Sequence, residues 1–203
     1  MVDAVDAQAS LEGVLKDEIL RMYQEIADDP TAEFHFFHGR EAAELFGYAP
    51  DVLDTVPEGA VASFAGVGNP HLRADIQPGE TVLDLGSGAG LDAVLAARRA
   101  GSGGRVIGVD MNPAMCRKAE ANAAAAGASM ECREAPMEKL PVDDGSVDIV
   151  ISNGVINLSF QKRRVIEELY RVLRPGGRIS ITDIVSGKQL SQNIVNDPKL
   201  WAS

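Results

Sequence analysis

Apolar residues at the start of the chain fall in a stripe. Leu11, Val14, Leu15, Ile19, Met22, Tyr23 and Ile26 recur at three- and four-residue spacing, which predicts an amphipathic helix packed along one face. Ser10 is placed to cap that helix and Pro30 to end it. Two shorter helices are predicted over residues 40–46 and 50–56. From residue 78 the period changes. Short apolar strands are predicted at 81–85 (TVLDL), 105–109, 129–133, 147–152 (VDIVIS) and 178–185 (RISITDIV). Helices are predicted between them at 91–100, at 113–126 with Pro113 in the first turn, and at 162–173, stopping before Pro175-Gly176-Gly177. Strands alternating with helices predict an α/β fold, a parallel sheet covered on both faces.

Composition divides the chain further. Of its ten aromatic residues, seven (Tyr23, Phe34, Phe36, Phe37, Phe46, Tyr48 and Phe64) precede residue 65. The expected organisation is a helical, aromatic-rich lid region over 1–63 and an α/β domain over 64–203. A length of 203 residues suits one domain with a helical appendage. Thirty acidic against 19 basic residues give a net charge of −11, a surface that repels phosphate backbones and argues against nucleic-acid binding. No apolar run approaches the ~20 residues of a membrane span, and the first residues lack the basic-then-apolar form of a signal peptide. Two cysteines make no disulfide framework, so a cytoplasmic location is expected, with Cys116 and Cys132 as small buried hydrophobes. The run Lys162-Arg163-Arg164 with Glu167 and Glu168 reads as a solvated helix face.

The chemistry gathers at the predicted strand ends. The first strand runs into Asp84-Leu85-Gly86-Ser87-Gly88-Ala89-Gly90, a turn that lets a ligand approach the backbone closely. Open α/β sheets bind ligands at this place, beyond the carboxyl ends of their strands. Asp110 ends the second strand, where a carboxylate can accept hydrogen bonds from both ribose hydroxyls of an adenosine. A-P-M-E-K-L-P follows the third strand and Asn153 closes the fourth. The glycine spacing, G-x-G-x-G, differs from the G-x-G-x-x-G of nicotinamide-binding folds.

Taken in order, DLGSGAG, VIGVDM, PMEKLP, DIVISN and LRPGG resemble a class I S-adenosylmethionine-dependent methyltransferase over about residues 64–185. Gly68-Asn69-Pro70, VIGVDMNPAM and SNGVINLS are similar to segments of the arsenite methyltransferase family. The resemblance implies a Rossmann-like fold, S-adenosylmethionine as cofactor, S-adenosylhomocysteine as product and a small-molecule methyl acceptor. It puts Gly86, Ser87, Gly88 and Gly90 under the methionine moiety, Asp84 near its amino group, and Asp110 on the ribose. Met111 falls beside the adenine, Pro136, Met137 and Glu138 at its edge, Asn153 near the transferred methyl, and Asn69 in a lead-in segment over the cofactor.

One departure bears on the acceptor. The family carries cysteines at the positions of Val67 and Gly154, and soft metalloids favour thiolate ligands. Arsenite is therefore expected to be a poor substrate. His35 and His38, in the aromatic cluster, and Asn153 are the catalytic candidates, with Asp183 a further candidate base and no metal site expected. Tyr23 and Tyr48 are expected to contribute to the lid. The family's sheet has seven strands, so the fifth strand here is expected to be an edge, in a shortened chain or one pairing with a second copy. The alternative function is a non-catalytic or truncated S-adenosylmethionine-binding protein that acts with a partner.

Overall fold

The computed structural model describes residues 2–32, 34, 36–188 and 197, with side chains from residue 13 onward. Five helices, α1 (Val2–Asp28), α2 (Gly39–Leu45), α3 (Pro50–Leu53), α4 (Glu58–Ala62) and α5 (His71–Ala74), precede the first strand. The α/β part then runs β1 (Thr81–Leu85), α6 (Leu91–Ala100), β2 (Arg105–Asp110), α7 (Pro113–Ala125), β3 (Glu131–Glu134), β4 (Val147–Asn153), α8 (Lys162–Val172) and β5 (Leu173–Thr182). A 3₁₀ turn at Ile156–Leu158 follows β4.

All four strand pairings are parallel, in the order β3-β2-β1-β4-β5. The central strands are apolar on both faces because helices cover both. Val82, Val106, Ile149 and Ile151 meet Ala93, Ala96 and Ala100 of α6. Leu83, Leu85, Ile107, Val109 and Val150 meet Val165, Leu169 and Val172 of α8. Alternate residues along β1 thus belong to opposite layers, as the two-residue period of a strand requires. The small side chains of α6 allow its close approach to the sheet.

Several expectations shift. Helix α1 begins at Val2, so Ser10 lies inside it and not at its start. The stripe is a packing face at Leu15, Ile19 and Ile26, but Val14 is 52% exposed. Helices α4 and α5, at five and four residues, are too short to leave a periodic signature. Strand β5 starts at Leu173, ahead of the proline, and ends at Thr182, so residues 183–185 are not part of it. Val147 pairs with Leu173 and Ile149 with Arg178, which leaves residues 174–177 as a bulge. Glu168 is not on a solvated face. It is buried, pairs with Arg171 at 2.7 Å and accepts from the Leu140 amide at 2.7 Å, tying α8 to the loop after β3. Among the described residues β5 pairs with β4 alone, and Ile179 on it is half exposed.

Candidate active site

The strand order reverses between β1 and β4: β2 and β3 lie on one side of the chain's first strand, β4 and β5 on the other. The connections diverge there, and a crevice opens beyond the carboxyl ends of the strands. A cavity of about 400 Å³ occupies it. Its floor is the turn after β1, where Gly86 and Ser87 donate their amides to the Val109 carbonyl at 2.7 and 3.1 Å. These bonds lock the turn onto β2. Its roof is α1, which contributes Gly13, Lys16, Ile19, Leu20 and Tyr23.

Most of the anticipated residues meet in this cavity. Asp84, Gly86, Ser87 and Gly88 line it from β1 and its turn, and Asp110 and Met111 from the end of β2. Pro136, Met137 and Glu138 line it from the loop after β3, and Asn153 from the end of β4. Gly90 and Asn69 do not. Gly90 has φ +89°, and a Cβ there would press on the Ala119 backbone, so its role is the close packing of α6 on α7. Asn69 instead holds the chain around it, donating to the Gly47 carbonyl at 3.1 Å and accepting from the His71 amide at 3.0 Å.

Two carboxylates dominate the electrostatics. Asp84 is 2% exposed, and its Oδ2 has no hydrogen-bond partner. Burial, and then the neighbouring Asp92 and Asp110, push its carboxyl well above the ordinary range. Asp110 Oδ2 accepts from Gly88 N at 2.9 Å and its Oδ1 from Asn112 N at 2.8 Å. Burial raises this carboxyl too, against the opposing pull of those amides. The helix start beside it is capped by Asn112, whose side chain accepts from Ala114 N and Met115 N.

Behind Asp84 lies a network that sequence reasoning missed. Asp92, in the first turn of α6 and 7% exposed, also lines the cavity. Tyr48 Oη donates to Asp92 Oδ1 at 2.5 Å. His71 Nε2 stands 3.1 Å from the same oxygen, within ion-pair range but not aligned as a hydrogen bond. Asn153 Nδ2 faces Asp92 Oδ2 at 3.1 Å, Tyr48 Oη at 3.2 Å and the Gly68 carbonyl at 2.8 Å. Its Oδ1 accepts from Val67 N, Gly68 N and Thr182 Oγ1 at 2.9, 3.1 and 2.9 Å. Every polar atom of Asn153 is therefore engaged with protein, and it acts as a clamp on segment 66–68. The only sequence signal for Asp92 is an acidic residue in the helix turn directly after the glycine loop.

Of the other candidates, His38 and Asp183 do not line the cavity. His35 lies outside the described residues. His38 lines neither this cavity nor the one below; its ring contacts the Pro30 carbonyl at 3.2 Å and packs edge-on against Phe34 at 4.9 Å. These contacts pack the ring into the aromatic segment. Asp183 caps a turn, its Oδ2 accepting from Asn157 N at 3.1 Å. Cys116 is buried as expected, but Cys132 is half-buried, with Sγ 3.4 Å from Ser87 Oγ. Contact with Cys116, then burial, pushes the Cys132 thiol up and holds it protonated.

A second cavity, about 210 Å³, adjoins the first and shares Tyr23, Ala65, Gly66 and Leu158 with it. Phe36, Phe37 and Phe46 line it, as do Val67 and Gly154. Asn157 Oδ1, which accepts no hydrogen bond, also belongs to its wall. Burial, then the charges of Asp110 and Asp183, push Tyr23 up to about 12.

A parallel sheet in this order, with a glycine turn after β1 and a carboxylate closing β2, defines a class I S-adenosylmethionine-dependent methyltransferase fold. The chain belongs to the family described as a methyltransferase domain, which it matches over residues 76–203. It is 48% identical over 157 residues to an arsenite methyltransferase of Halobacterium salinarum, covering 77% of this chain and 40% of that protein. An arsenite methyltransferase of Aquipseudomonas alcaligenes is 38% identical over 169 residues, covering 79% and 48%. The crystal structure of an arsenic(III) S-adenosylmethionine methyltransferase from Chlamydomonas reinhardtii superposes with a TM-score of 0.62 at 38% identity, covering 79% of this chain and 53% of that one. The chain thus spans about half or less of the length of these relatives. No helix among the described residues is long and apolar enough to cross a membrane.

Proposed function

We propose that this protein transfers a methyl group from S-adenosylmethionine to a small-molecule acceptor, that the acceptor is not arsenite, and that it works in the cytoplasm. The observation that carries the cofactor reading is Asp84. A buried carboxylate with an unpartnered oxygen is costly unless a cation or donor meets it. The ammonium group of the cofactor is such a partner, so the residues present fit the group. Asp110 lines the cavity at the end of β2, where its carboxylate can accept from ribose hydroxyls, the turn at 86–88 supplies a close backbone surface, and Met111 and Met137 give apolar contact for the adenine. The cofactor, when bound, supplies an electrophilic methyl on a sulfonium. The protein's part is to align it and to exclude water, and α1 with the rest of residues 1–63 serves as the lid.

Arsenite is disfavoured because Val67 and Gly154 bring no thiolate to the second cavity, while Cys116 and Cys132 line neither cavity. Homodimer pairing along β5 is part of the same proposal; a sedimentation coefficient that stays monomeric at high concentration would exclude it.

Asp110→Ala tests the cofactor site. It removes a charged acceptor worth ~1.5–3 kcal/mol per hydrogen bond. Calorimetry is expected to show S-adenosylmethionine affinity about tenfold weaker or more, with Asp110→Asn intermediate. Unchanged affinity in the folded variant would refute the assignment.

A further inference from the structure

We propose that Asp92 makes the large cavity discriminate by charge, favouring S-adenosylmethionine over S-adenosylhomocysteine and so expelling the spent cofactor; this rests on the cofactor reading above. The starting point is a row of buried acids. Asp110 closes β2, Asp84 lies on β1, and Asp92 meets Asn153 at the end of β4, so three carboxylates follow the adjacent strand ends β2-β1-β4. All three line the large cavity. The Ala93 amide, next to Asp92 on α6, donates to Asp84 and holds the two acids side by side. Asp84 is 2% exposed and Asp92 7%. Lys16, exposed on the roof helix, is the one cationic side chain among the described residues that line the cavity.

The hydrogen bonds single out Asp92 as the acid that acts through charge alone. Asp84 offers an open oxygen to the ammonium, and Asp110 serves the ribose. Both of those ligand groups are present before and after methyl transfer, so these contacts are common to cofactor and product. Asp92 is already bonded to protein. Tyr48 Oη donates to its Oδ1 at 2.5 Å and Asn153 Nδ2 to its Oδ2 at 3.1 Å. Both donors are neutral, so they hold the carboxylate without cancelling its charge. His71 Nε2 stands 3.1 Å from Oδ1 but is not aligned to donate. In the cofactor, sulfur joins the ribose to the amino-acid chain, and so lies between the groups that Asp110 and Asp84 hold. When the methyl group leaves, the sulfur–methyl bonding pair stays on sulfur, and the sulfonium becomes a neutral thioether. The row of carboxylates then loses one compensating charge. Away from water that imbalance costs far more than it would at a surface. The neutral product is held less firmly for that reason, and its departure is a step that often limits turnover.

The test is calorimetry on the full chain with S-adenosylmethionine and S-adenosylhomocysteine in turn. Wild type is expected to bind S-adenosylmethionine ~10-fold tighter or more. Asp92→Asn keeps the size of the side chain and removes its charge, and is expected to bring that ratio down to ~3-fold or less. A role in packing alone would weaken both ligands by the same factor and leave the ratio unmoved. If the variant does not fold, wild type is titrated with the cofactor analogue that carries an N-methyl tertiary amine in place of the sulfonium. Its affinity, taken relative to S-adenosylmethionine at each pH, must fall as the analogue's own amine loses its proton. A ratio unmoved by Asp92→Asn overturns the proposal, as does an analogue whose relative affinity ignores its protonation. Equal binding of both ligands by wild type removes this proposal alone, whereas binding of neither removes the cofactor reading with it.

Discussion

Asp84→Asn is expected to make the ligand-free protein more stable and a much poorer binder of S-adenosylmethionine. The wild-type carboxylate is buried beside Asp92 and Asp110, and one of its oxygens has no partner. Its raised pKa means that, above the ordinary carboxylate range of about 4, the folded state holds a proton that the unfolded state has released. Stability of the ligand-free protein is therefore lost as pH rises through that window, and a bound cation restores it. Asparagine removes the charge and keeps the shape. Relief of ~1 kcal/mol would raise Tm by roughly 2–4 °C in a chain of this size. Truncating one partner of a buried charge pair costs ~2–5 kcal/mol, an affinity loss of ~30-fold or more. Thermal unfolding from pH 5 to 8, with and without the cofactor, reads both effects. In wild type the stabilisation by cofactor should grow with pH, and in Asp84→Asn that growth should be lost. A variant that melts lower and binds normally would show that Asp84 serves the fold and not a ligand.

Asn153→Ala is expected to act through the fold first and through binding second. Its Oδ1 holds two backbone amides of the segment that separates the cavities, and its Nδ2 faces Asp92, Tyr48 and the Gly68 carbonyl. Segment 66–68 approaches so closely that a Cβ on Gly66 would collide with the Asn153 amide. Each partner stranded without water costs ~1–3 kcal/mol. A loss of ~2–4 kcal/mol, or roughly 5–15 °C in Tm, follows for the alanine variant. Asn153→Asp should be no better, because it replaces the donor facing Asp92 with a second negative charge. Denaturant unfolding, paired with calorimetry, measures both. Unchanged stability with only the catalytic rate reduced would mean that Asn153 acts on the methyl group, as the family resemblance implied, and not as a clamp.

The chain's pattern was enough to place all five strands and the three helices between them, because two-sided burial makes β1 and β4 mostly apolar, broken only by residues such as Asp84 and Asp148, and glycine or proline punctuates the segments between elements. It was also enough to gather Asp84, Gly86 to Gly88, Asp110 and residues 136–138, since each lies at or just beyond the carboxyl end of a strand and parallel strands all end at the same edge of the sheet. The helices α4 and α5 were not legible, as four or five residues complete barely one turn. Nor was the bulge that moves the start of β5 ahead of Pro175, which depends on pairing with a strand 26 residues earlier in the chain. Tertiary structure alone decided the partners across long separations. It set Tyr48 against Asp92, His71 beside both, and Asn153 against the 66–68 backbone, although 44 to 105 residues separate the bonded pairs among them. It also gave His38 to packing and formed the apolar second cavity from α1, the aromatic segment and the turn after β4. Strand-end chemistry follows from local order plus one topological rule, whereas a buried polar network exists only once desolvation forces each group to find a partner wherever the fold has put one.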